Sequence, residues 1–147
     1  MSSHTNTGAQ AEDEFERHWQ SQGKAAHLLR FRDNKDIRGL NRGKALAAFK
    51  QPSDYLLTHQ GVTLYAEVKS SAHPTAFAFG LIAPYQLGSA ERIVVAGGRY
   101  DFFVRRLHPT EGRWFRLPAR VVLSHPRRSM SWTELQPHAV EIPCRTT

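Results

Sequence analysis

Residues 51–70 read QPSDYLLTHQGVTLYAEVKS: an acidic residue after a proline, a short apolar run, a glycine turn and a second strand-like run. Over residues 62–69, Val62, Leu64, Ala66 and Val68 alternate with Thr63, Tyr65, Glu67 and Lys69, the period-two pattern of a half-buried strand. Glu67 and Lys69 therefore share a face. If Gln60-Gly61 is a two-residue hairpin loop, facing residues carry numbers that sum to 121, which sets Asp54 opposite Glu67. Opposed side chains on an antiparallel pair have Cβ atoms about 4.5–5.5 Å apart. Two carboxylates that close repel, and one tends to take up a proton. A divalent cation removes the conflict, and Mg²⁺ is held through one or two carboxylates while keeping waters and room for phosphate oxygens. Lys69 adds a positive charge where a phosphate or an attacking water would sit. The plainer alternative is a solvated strand face with an ordinary Glu/Lys alternation. The register with Asp54 weighs against it, although Gln-Gly is a weaker hairpin signal than Asn-Gly.

These residues resemble a family. Pro52-x-Asp54 followed by Glu67-x-Lys69 is similar to the signature of the PD-(D/E)xK nuclease superfamily. The closer resemblance is to the RecU-type Holliday junction resolvases of bacteria and their phages, and it rests on Phe15-Glu16, Asp54-Tyr55, Glu67-Val68-Lys69, Phe77-Ala78-Phe79, Gln86, Asp101-Phe102-Phe103-Val104 and Trp114-Phe115-Arg116-Leu117. It spans residues 12–123; each motif alone is short, and their order and spacing carry the likeness. It implies an α/β, restriction-endonuclease-like fold, a central mixed β-sheet flanked by helices. It implies that Asp54, Glu67, the Val68 carbonyl and Glu16 hold Mg²⁺, with Mn²⁺ able to substitute. Lys69 would orient water or stabilise charge, and Gln86 would reach the site from the following helix. The implied enzyme is a homodimeric, metal-dependent endodeoxyribonuclease that cuts four-way DNA junctions symmetrically to leave 5′-phosphates.

A chain of 147 residues with 40% apolar and 10% aromatic residues is expected to form one globular domain. No apolar run reaches the length of a membrane span, and the N-terminus MSSHTNTGAQ lacks the pattern of a secretory signal. Both features suit a cytoplasmic protein, and the resemblance implies a bacterial one or a phage-encoded one acting in the host cytoplasm. The single cysteine, Cys144, rules out an internal disulfide and a cysteine-based zinc site. The net charge is +7, and residues 24–50 hold eight basic residues against two acidic ones. Such a block suits phosphate backbones. Lys35, Arg38, Arg42, Lys44 and Lys50 are candidate DNA contacts, with Arg105 and Arg106 (near Arg113 and Arg116) as a second set; solvated edge charge is the competing explanation for the latter.

Residues 1–8 are expected to be disordered and residues 9–147 to form the domain. Residues 9–22 predict a helix with Ala11, Phe15 and Trp19 as its apolar stripe and Glu12 and Glu16 on another face. Residues 27–32 suit a strand. Residues 33–50 are a basic loop, long for so small a domain and so a functional candidate. Residues 84–96 predict a second helix that starts at Pro84 and stops before Gly97-Gly98. Tyr100–Leu107 and Arg113–Leu117 form a strand pair; residues 118–124 fit helix or strand; residues 131–136 suit a short helix behind a Ser131 cap. Two rivals to a junction resolvase stay open: a PD-(D/E)xK nuclease acting on duplex or single-stranded DNA, and a non-catalytic nucleic-acid-binding module.

Overall fold

The computed structural model describes residues 7–31, 50–107 and 112–144. Its centre is the hairpin of β2 (Tyr55–His59) and β3 (Val62–Ser71). Pairing runs from His59↔Val62 to Tyr55↔Ala66, the register expected from a two-residue loop. Gln60 and Gly61 both take positive φ, 51° and 77°, as a type I′ turn requires. Gln60 bears the cost that Asn or Gly would avoid.

The main sheet has six strands in the order β1-β2-β3-β5-β6-β8, adding β1 (Ala26–Arg30), β5 (Tyr100–Arg106), β6 (Arg113–Pro118) and β8 (Val140–Ile142). Only β3 and β5 pair in parallel among the described strands. Their crossover carries β4 (Ala76–Ala78) and the helix α2 (Pro84–Val95). A separate small ribbon pairs β4 with β7 (Ser129–Ser131).

One face of the sheet is covered by α1 (Thr7–Gln20), whose Ala11, Phe15 and Trp19 are buried as their i, i+4, i+8 spacing predicts. Phe15 meets the rings of Tyr55, Phe103 and Trp114. Burying a side chain of this size contributes roughly 1.5–3 kcal/mol, which fixes α1 beside the mouth of the hairpin. The helix begins at Thr7, so residues 7 and 8 are helical rather than disordered and the expected 9–22 span shifts towards the N-terminus. The other face carries α2, α3 (Ala119–Ser124) and α4 (Trp132–Leu135) over Phe102, Val104, Phe115 and Leu117. Trp114 and Phe115 fall on opposite faces, one in each core.

The helix ends follow local rules. Gly97, at φ 90°, and Gly98 donate to the Val94 and Ile93 carbonyls, closing α2 in a Schellman motif. Ser131 Oγ accepts from the Glu134 amide at the start of α4, and of residues 118–124, which fit helix or strand by sequence, Ala119–Ser124 form α3. No described helix is long and apolar enough to cross a membrane.

Candidate active site

The hairpin register brings Asp54 and Glu67 together and then locks them. The Asp54 amide donates to Glu67 Oε2 (3.1 Å), and the Val68 amide donates to Asp54 Oδ2 (2.9 Å). Each carboxylate is thus held by the backbone of the opposite strand. Glu67 Oε1 accepts from Gln86 Nε2 (2.5 Å), and Lys69 Nζ stands 3.3 Å from the same oxygen. Gln86 is positioned in turn, since its Oε1 accepts from the Ala83 amide just before α2 (2.9 Å). Asp54, Glu67, Lys69 and Gln86, singled out from sequence, therefore form one cluster. Val68, expected to act through its carbonyl, enters the cluster by its amide.

Glu67 is 1% exposed. Burial, reinforced by the Asp54 charge, pushes its pKa up to about 8, against the opposing pull of Lys69. Burial also raises Asp54, while the Val68 amide and Lys69 oppose the shift. Tyr100 is raised by burial and then by Glu67, and its hydroxyl donates to the Pro52 carbonyl (2.7 Å). The pair is a desolvated, all-oxygen donor set with one nearby ammonium, the chemistry that suits a hard divalent cation. Among the described residues, no group of three His, Cys, Asp or Glu gathers closely enough to hold a metal by itself. A Mg²⁺-type ion does not need one, because water and phosphate complete its shell.

A cleft of about 300 Å³ opens over the pair, lined by Glu12, Arg30, Phe31, Lys50, Asp54, Glu67, Tyr85 and Gln86 among others. The helix carboxylate in that lining is Glu12, where Glu16 was expected. Glu16 is turned aside by two donors, the Tyr55 hydroxyl (2.7 Å) and Arg30 Nη1 (3.0 Å). Arg30 Nη2 also reaches Glu12 (3.1 Å). Burial and then the Asp54 charge raise the pKa of Glu12, with Arg30 opposing. The i, i+4 spacing had placed both glutamates on one face; nothing local in the sequence says which of them Tyr55 engages.

The basic candidates divide. Lys50 lines the cleft, its ammonium 4.4 Å from the centre of the Tyr85 ring. Lys35, Arg38, Arg42 and Lys44 lie outside the described residues. Arg105 is a correction: its Nε and Nη2 donate to Glu14 (2.7 and 2.9 Å), and both side chains are largely buried between β5 and α1. The guanidinium neutralises a buried carboxylate and is not offered to a phosphate. Arg106, outside the cleft, lies 5.1 Å from the Trp132 ring and donates to the Pro74 carbonyl (3.4 Å). Arg113 pairs with Glu141 and Arg116 with Asp101.

A sheet with one parallel pair at its centre, helices on both faces and this carboxylate hairpin is a restriction-endonuclease-like α/β fold. The structure is similar to that of Hjc from Archaeoglobus fulgidus, a Holliday junction resolvase from an archaeal hyperthermophile, with a TM-score of 0.59 at 11% sequence identity, covering 91% of this chain and 95% of that one. At that identity the likeness is one of fold. No protein-family model matches the sequence, and no curated protein does either.

Proposed function

We propose that the protein is a divalent-metal-dependent DNA endonuclease that resolves four-way junctions. The observation that carries the reading is the Asp54–Glu67 pair, cross-braced by backbone amides and flanked by Lys69 and Gln86, on a fold similar to that of a Holliday junction resolvase. The resemblance to RecU-type resolvases and the basic balance of the chain support the same substrate.

Asp54 and Glu67 would hold Mg²⁺ or Mn²⁺, with Glu12 across the cleft. The ion would neutralise the phosphate and lower the pKa of a water. The chain's own groups do the rest. Lys69 places an ammonium beside Glu67, where it stabilises charge that builds on the phosphate or orients the attacking water. Gln86 holds Glu67 Oε1 in one direction, so the carboxylate arrives at the reaction already oriented. Lys50 and the basic residues before it bind the backbone, each neutralised phosphate releasing counterions. A two-fold homodimer would match the two-fold symmetry of a junction and present two such sites to opposing strands.

The test is cleavage of a labelled four-way junction beside matched flap, duplex and single-stranded substrates, in Mg²⁺ and then in Ca²⁺. Symmetric cuts near the branch point in Mg²⁺ alone, abolished by Asp54→Asn, are expected. Equal cutting of plain duplex would reduce the reading to a general nuclease. Junction binding without any Mg²⁺-dependent cleavage would overturn it in favour of a binding module.

A further inference from the structure

Among the described phenylalanine, tyrosine and tryptophan residues, Tyr85 is the one exposed to solvent, at 41%; the others are buried or half-buried. It stands in the first turn of α2, directly before Gln86, whose amide is hydrogen-bonded to Glu67. Tyr85, Lys50, Asp54 and Glu67 line the same cleft. A large ring is thus held at the lip of a site whose floor is a carboxylate pair, with the Lys50 ammonium over its face at 4.4 Å.

We infer that Tyr85 is a nucleobase-stacking platform, and that Lys50 occupies its face until a nucleotide of the substrate takes that place. The inference rests on the nuclease reading above and adds the feature of DNA that the cleft selects. Three physical points favour it. A surface cation–π contact is worth roughly a two- to five-fold factor in an equilibrium constant, whereas stacking a base on an aromatic side chain is worth about 5- to 150-fold. A base therefore displaces the ammonium. The displaced Lys50 remains beside the sugar–phosphate backbone of the same nucleotide, where its charge replaces a condensed counterion. Finally, a cleft of about 300 Å³ is at the lower end of the volumes that hold a small ligand, roughly 300–1,000 Å³. A volume of that order suits a single nucleotide. The site thus favours a strand whose base beside the scissile phosphate is unstacked, as happens at a branch point, and does so without reading which base it is.

The experiment uses the full chain and a four-way junction whose cut position has been mapped. 2-Aminopurine, and separately an abasic residue, replaces the nucleotide on each side of the cut in turn. Binding in Ca²⁺ should quench 2-aminopurine at one of these positions with wild type and Tyr85→Phe, but not with Tyr85→Ala. In Mg²⁺, single-turnover cleavage by Tyr85→Ala should fall about 5- to 150-fold, with Tyr85→Phe near wild type. The abasic junction should slow wild type by a similar factor and leave Tyr85→Ala unchanged. If Tyr85→Ala and wild type respond equally to base removal, Tyr85 does not stack and this inference falls alone. If wild type cuts no DNA in Mg²⁺, the nuclease reading falls and takes this one with it.

Discussion

Lys69 stands 3.3 Å from the Glu67 carboxylate, on which the charge of Asp54 also acts. Its role is separable from DNA affinity. Lys69→Met should leave junction binding in Ca²⁺ close to wild type and lower single-turnover cleavage about 10²–10³-fold, the scale of one missing stabilising donor. Loss of binding with cutting intact would reassign the residue. Glu67 has a second measurable consequence. In the metal-free folded chain it keeps its proton up to about pH 8, against an ordinary value of 4.5. Between those values the folded state binds the extra proton, so stability falls as pH rises. Urea midpoints in EDTA should decline from pH 5 to pH 9, Mg²⁺ should recover the loss, and Glu67→Gln should flatten the profile. A midpoint that rises with pH in EDTA would contradict the burial of this pair. The pairing of residues 54 and 67 was legible in the sequence because period-two alternation and a two-residue loop leave one register. The choice between Glu12 and Glu16 was not, since it depends on Tyr55 and Arg30, 39 and 14 residues away from Glu16.

At the scale of elements, α1 is fastened to the sheet by charge as well as by Phe15. Glu14, buried in its middle, accepts from Arg105 of β5 and from Trp114 Nε1 of β6 (2.9 Å). Removing one partner of a buried pair strands the other charge and typically costs about 3–5 kcal/mol. Arg105→Met should destabilise the fold by that order in equilibrium denaturation, and Glu14→Gln in the same chain should restore part of the loss. The junction affinity of the folded fraction should keep its salt dependence, because Arg105 is engaged by Glu14 and does not line the cleft. The arginines of β5 and β6 looked like a phosphate-binding surface because a sequence displays charge without its partners. Glu14 and Arg105 are 91 positions apart, and no periodicity links them. The strands β7 and β8 are illegible in the sequence for a different reason. Three residues each, set among Pro, His and Arg, give too little alternation to register as strands.

For the whole molecule, charge is distributed unevenly. The described arginines of β5 and β6 are partnered or packed on rings, while the densest basic block precedes the hairpin. Replacing Arg38, Arg42 and Lys44 together with glutamine should weaken junction binding. It should also make the slope of log K against log salt shallower by up to about three, near one for each phosphate that is no longer neutralised. An unchanged slope would remove this block from the interface. The two main-chain donors that clasp Asp54 and Glu67 carry a last implication. The acidic centre and the mouth of the hairpin share the same hydrogen bonds, so neither can loosen while the other stays intact. Warming that frays residues 54 and 68 would disarm the molecule while its cores remain packed, and amide exchange at those two positions would report the competence of the site before any cleavage is measured.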